Sequence, residues 1–136
     1  MDASNSFTQD IPLAVEFLAD LLSEYTIGPD DTQVCLIKQL TPAVVVWNWQ
    51  SAETANYDVL IQNINETLET VDDPGNFNDG FLLALSDVID SQYDRETAVN
   101  IVLNVGDGQG TASMPNLVDI ATRAWYVRVL HLPLTC

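Results

Sequence analysis

Three hard oxygen side chains stand at alternating positions near the start of the chain, in Asp2-Ala3-Ser4-Asn5-Ser6. A carboxylate and two hydroxyls with no Lys or Arg among them suit a divalent cation such as Mg²⁺, which takes oxygen ligands in octahedral array. The same run also suits a helix cap or a turn, because Ser and Asp side chains bond nearby backbone N–H groups. Other chemistry-bearing groups form weaker constellations. Gly106-Asp107-Gly108-Gln109-Gly110 has the glycines of a phosphate-cradling loop but lacks the Lys-Ser/Thr of a P-loop, and its carboxylate repels phosphate. Asp72 and Asp73 lie in a turn with no partner group for acid–base work. Cys35 and the single histidine, His131, both fall in apolar strands, and nothing in the sequence activates the thiol. No enzymatic activity is expected.

Composition narrows the partners. The chain has 136 residues, 20 acidic against 4 basic, and a formal net charge of −16. Clustered Lys and Arg, which nucleic acid and anionic membrane surfaces both require, are missing. No apolar run approaches the ~20 residues of a membrane span, and the start of the chain has neither the basic nor the apolar region of a signal peptide. An apolar content of 47% is that of one globular domain with a real core. Cys35 and Cys136 are too few for a disulfide scaffold. Asn65-Glu66-Thr67 is a glycosylation sequon and hints at a secreted or extracellular setting.

Elements that would position these groups follow from periodicity. Ile11, Ala14, Val15, Leu18, Leu21, Leu22 and Tyr25 recur at helical spacing, Asp10 and Pro12 suit the first turn, and Gly28-Pro29 ends the helix. Val34–Ile37 and Ala43–Trp49 read as strands pairing antiparallel, with Pro42 between them. Trp47 and Trp49 share a face of the second strand and should be core or helix-covered. Tyr57, Leu60, Ile61, Ile64, Leu68 and Val71 stripe a second helix. Asp72–Asp79 should be a loop. Phe81, Leu82, Leu85, Val88 and Ile89 mark a third helix, Val99–Val105 a strand, Pro115–Ala124 a fourth helix and Tyr126–Leu132 a last strand.

Helices alternating with apolar strands predict a mostly parallel sheet covered on both faces. Ligands in such sheets bind beyond the carboxyl ends of the strands. The Asp107 loop follows a strand directly and the Asp2–Ser6 loop precedes a helix, so both belong on one rim. The strand that should feed Asp2 is missing, with only Met1 ahead of it.

In this order of elements the chain resembles a von Willebrand factor type A domain, the fold of integrin inserted domains and matrilins. Asp2-Ala3-Ser4-Asn5-Ser6 matches the Asp-x-Ser-x-Ser of that family's metal-ion-dependent adhesion site. Val105-Gly106-Asp107-Gly108 resembles its strand-ending Asp-Gly, and Asp72–Leu85 its loop ending in Ala-Leu, here Ala84-Leu85. Ile27–Val34 is very like the family's link from first helix to second strand. The resemblance implies a Rossmann-like α/β three-layer sandwich, with a mostly parallel sheet and one antiparallel edge strand. Residues 1–136 would form a single, partial domain lacking the first central strand and the final elements.

The resemblance also implies a site. Ser4 and Ser6 would bind Mg²⁺, or Mn²⁺ or Ca²⁺, through their hydroxyls, and Asp2 and Asp107 would act through water. Asp79 would occupy the position that changes with affinity state. There the family keeps Thr, so this chain adds a negative charge. The cation would then accept an Asp or Glu carboxylate from a protein partner. Two alternatives stay open: a metal-free interaction domain whose acidic loops are only caps and turns, and a module that self-associates through exposed sheet edges.

Overall fold

The computed structural model describes residues 5–68, 77–95, 97–106 and 125–130, with the backbone alone at 5, 6, 52, 53, 65, 68, 77 and 125–130. A 3₁₀ turn, Asn5–Asp10, leads into helix α1, Ile11–Ser23. Asp10 is its N-cap, and Pro12 sits in its first turn, where a missing N–H costs nothing. Ile11, Ala14, Val15 and Leu18 bury one face, as their spacing predicts, while Glu16, Asp20 and Glu24 stay in water.

Strand β1, Leu36–Lys38, pairs antiparallel with β2, Val44–Trp47, and the connection between them carries a cis Thr41–Pro42 bond. β1 begins two residues later than the apolar run suggests. The Val34 N–H is donated to Thr54 O at 3.0 Å, and the register slips between Leu36 and Ile37. Trp47 is buried, and Trp49 donates its indole N–H to Val88 O at 2.9 Å, so a helix covers it as expected.

Helix α2, Tyr57–Leu68, buries Leu60 and Ile64 completely. The Tyr57 hydroxyl donates to Ala19 O at 3.1 Å, tying α2 to α1. Helix α3, Phe77–Leu83, runs on as a π-helical turn over Ala84–Ile89, closed by Asp90 N–H to Leu85 O at 2.8 Å. The expected loop over 72–79 is thus corrected at its end. Helix starts at Phe77 because Asn78 and Asp79 make a polar first turn, and a carboxylate there meets the positive end of the helix dipole. The fourth helix expected at 115–124 lies outside the described residues.

Strand β3, Ile101–Gly106, pairs parallel and without irregularity with β4, Trp125–Leu130. The four strands do not form one sheet. They form two separate pairs, antiparallel β1–β2 and parallel β3–β4. The break falls where the sequence lacks a strand, and hydrogen bonds cannot span the space a strand would fill.

One core nevertheless serves both pairs. Phe7, α1, Leu36, Trp47, Leu60, Ile64 and Val105 form a single buried apolar cluster. At the opposite end from Gln39 and Gly106, the turn after α1 is pinned by Arg95, whose guanidinium donates to the Pro29 and Asp31 carbonyl oxygens.

Candidate metal centre

Three chain segments must meet for the expected site to exist, and the described residues next to each segment do meet. Phe7 directly follows Ser6 and is 2% exposed in the same cluster as Val105. Val105 and Gly106, both buried, end β3 immediately before Asp107. Burial of Phe7 therefore carries the Ser6 turn toward the carboxyl end of β3.

The third segment is held by a side chain the sequence reading did not single out. Gln39, just after β1, is 4% exposed and donates Nε2 to Asn104 Oδ1 at 3.0 Å. Gly80, next to Asp79, packs against that same side chain: a Cβ at position 80 would stand 2.9 Å from Gln39 Cγ. Gln39 therefore braces the first turn of α3 against the end of β3. Neither Gln39 nor Asn104 belongs to a recognisable motif, and only their meeting in space reveals the role.

Of the expected ligands, Asp79 is half-buried in the first turn of α3, where the helix dipole also favours its carboxylate. Ser6 is the second residue of the 3₁₀ turn, described through its backbone. Asp2, Ser4 and Asp107 lie outside the described residues, as does His131. Among the described residues no three His, Cys, Asp or Glu side chains gather closely enough to hold a metal ion.

The described cations leave the rim to oxygen chemistry. Lys38, next to Gln39, is buried and donates Nζ to Thr67 O at 2.8 Å, satisfying a carbonyl in the last turn of α2. Burial lowers its pKa from the ordinary lysine value. Arg95 is engaged at the far end of the molecule. Hard oxygens at the ends of three converging segments fit a Mg²⁺-like ion, not a thiol- or imidazole-loving one.

The Cys35 thiol offers no nucleophile at neutral pH. Burial pushes its pKa well above the ordinary range, and the Asp94 carboxylate pushes it further.

The family profile of the von Willebrand factor type A domain matches residues 1–130. This chain belongs to the von Willebrand factor type A family. Solved structures of the same fold include proximal thread matrix protein 1 from the mussel byssus with a zinc-occupied MIDAS motif, at a TM-score of 0.76 and 20% identity. That alignment covers 95% of this chain and 33% of the mussel chain. A second crystal form of the mussel protein aligns at a TM-score of 0.75 and 19% identity, with the same coverage of both chains. The manganese-loaded TRAP protein of Plasmodium vivax aligns at a TM-score of 0.70 and 16% identity, covering 94% of this chain and 53% of that one. This type A domain thus spans a third to a half of the length of these relatives, and the shared feature is the fold. No curated protein sequence matches it.

Proposed function

We propose that residues 1–136 act as a single, partial type A domain that binds a protein partner through a divalent cation. Ser4 and Ser6 hold Mg²⁺, or Mn²⁺ or Ca²⁺, through their hydroxyls, and Asp2 and Asp107 hold its waters. Asp79 sits at the position that responds to the bound partner. The cation leaves one coordination position for an Asp or Glu carboxylate of that partner and serves as an electrostatic bridge. A secreted or extracellular setting suits an adhesion role and the Asn65-Glu66-Thr67 sequon.

The observation that carries this reading is convergence: Phe7 and Val105 share one core, and Gly80, Gln39 and Asn104 are stacked at the end of β3. The zinc-occupied MIDAS motif of the mussel protein, a relative of the same fold, adds support. The test is a thermal melt in EDTA and then in millimolar Mg²⁺ or Mn²⁺. A cation bound only by the folded chain at a hundredfold over its dissociation constant adds ~2.7 kcal/mol. At about 2.1 cal/mol/K of unfolding entropy per residue, 136 residues turn that into a rise of roughly 9 °C. The rise should vanish in Asp2→Ala and in Ser4→Ala with Ser6→Ala, with helical content kept. A cooperative melt indifferent to cations would leave the metal-free interaction domain.

A further inference from the structure

β1 and β3 each pair with one neighbour, so each keeps one edge without a partner strand among the described residues. Both strands line a common groove of about 290 Å³. They run the same way along it. Thr32 and Gln33, ahead of β1, share one end with Asn100 and Ile101 at the start of β3. At the other end Gln39 and Asn104 are hydrogen-bonded at 3.0 Å.

The groove has a distinct chemistry. No Asp, Glu, Lys, Arg or His lines it, although the chain carries 20 acidic residues. Leu22 of α1 and Phe81 of α3 contribute to its walls, and Val99 and Ile101 at its mouth are 71% and 59% exposed. Where Gln39 closes it, Gln39 Oε1 is buried with no hydrogen-bond partner among the described residues. A buried acceptor without a donor is costly, and so is an open strand edge beside apolar surface.

We propose that this groove receives one extended, uncharged, β-branched strand from a partner polypeptide, inserted between β1 and β3. About six residues, the length of β3, match it. The inserted backbone offers N–H and C=O groups to both open edges and joins the two sheets into one, while its side chains meet α1 on one face and α3 on the other. An N–H at the closed end supplies the donor that Gln39 Oε1 lacks. Charge selects the occupant: an Asp or Lys in the strand would lose its hydration in a groove with no counter-charge. This inference is independent of the metal site.

The probe is an acetylated, amidated hexapeptide of alternating Val and Thr, titrated in EDTA. The control is the same peptide N-methylated at alternate residues, which removes the donors to one sheet edge. Saturable change in tryptophan emission, sensed by Trp47 and Trp49 in the groove wall, should accompany a rise in melting midpoint. Binding should weaken at least tenfold for the methylated peptide and for the Ile101→Lys variant, whose charge sits at the exposed mouth. Equal binding of both peptides, or no saturable binding, would overturn the proposal. So would a concentration-dependent dimer that the peptide does not dissociate, because a second copy would then be the occupant.

Discussion

Gly80→Ala tests whether Gln39 braces the rim. In an ordinary helix the change stabilises by about 0.8–1 kcal/mol, because glycine gives up more backbone freedom than alanine. Here the new methyl would lie 2.9 Å from Gln39 Cγ and 3.5 Å from Nε2, inside contact distance of a side chain that is 4% exposed. The obstacle is mid-chain, so Gln39 cannot swing only its tip away. Overpacking of this kind costs about 1–3 kcal/mol. Displacing Gln39 also strains its bond to Asn104, worth about 1 kcal/mol. The balance is a net loss of about 1–2 kcal/mol, or a midpoint lower by roughly 3–7 °C for a chain of 136 residues. The assay is a double-mutant cycle by urea and thermal unfolding. In a Gln39→Ala background the obstacle is gone, and Gly80→Ala should turn stabilising by about 0.8 kcal/mol. Mn²⁺ titration should show weaker binding in the single variant, because Asp79 moves with the first turn of α3. A Gly80→Ala protein that is more stable than the parent, with unchanged Mn²⁺ affinity, would refute the bracing role.

Phe7→Ala removes a 2% exposed ring from the shared core and should cost about 3–5 kcal/mol by urea denaturation; a loss below 1 kcal/mol would show that the Ser6 turn is not anchored there. Asp79→Thr removes the extra negative charge at the rim. Calorimetry should show weaker binding of the cation alone but tighter binding of a carboxylate ligand in its presence, and parallel changes in both would count against Asp79 lying at the ion. Cys35 makes stability pH-dependent with a definite sign. Its folded pKa is raised by burial and then by Asp94, so the unfolded chain releases the thiol proton first. The contribution is complete below the ordinary thiol value of about 9 and is lost as pH rises past it, at up to ~1.4 kcal/mol per pH unit. Unfolding of the parent and of Cys35→Ala between pH 7 and 10 should show the parent losing ground above pH 9, and parallel curves would contradict the burial of the thiol.

Local periodicity made the helices legible. Ile11, Ala14, Val15 and Leu18 bury as spaced, and Leu60 and Ile64 mark the buried face of α2. Misreadings occur where a longer-range partner decides. The Val34 N–H goes to Thr54 O, which shortens β1, and no pattern around Val34 announces that competition. Pro74-Gly75 signals a turn but not where the next helix starts, so Asn78 and Asp79 read as loop although they open α3. The missing strand was visible as a gap before Asp2. Its consequence, a sheet divided into two pairs, belongs to the hydrogen-bond geometry of strands distant in sequence.

The site was legible in its ligands and illegible in its support. Asp2, Ser4, Ser6 and Asp107 declare themselves because a metal needs specific atoms at specific spacing, and that need is written in residue types. Support needs only shape and one hydrogen bond, and many residue types could supply either. Gln39 serves because its amide reaches Asn104 while its methylenes leave room for nothing larger than Gly80. The same amide keeps Oε1 buried without a donor among the described residues, at the end of an uncharged groove between two open strand edges. One side chain thus links the rim, where cation chemistry is proposed, to the groove, where strand insertion is proposed. A strand that donates to Oε1 would fix the Gln39 amide, and through Gly80 the first turn of α3 that carries Asp79. Filling the groove should therefore tighten the rim, and Mn²⁺ affinity measured with and without the hexapeptide would read that coupling directly, since linkage requires each ligand to strengthen the other by the same factor.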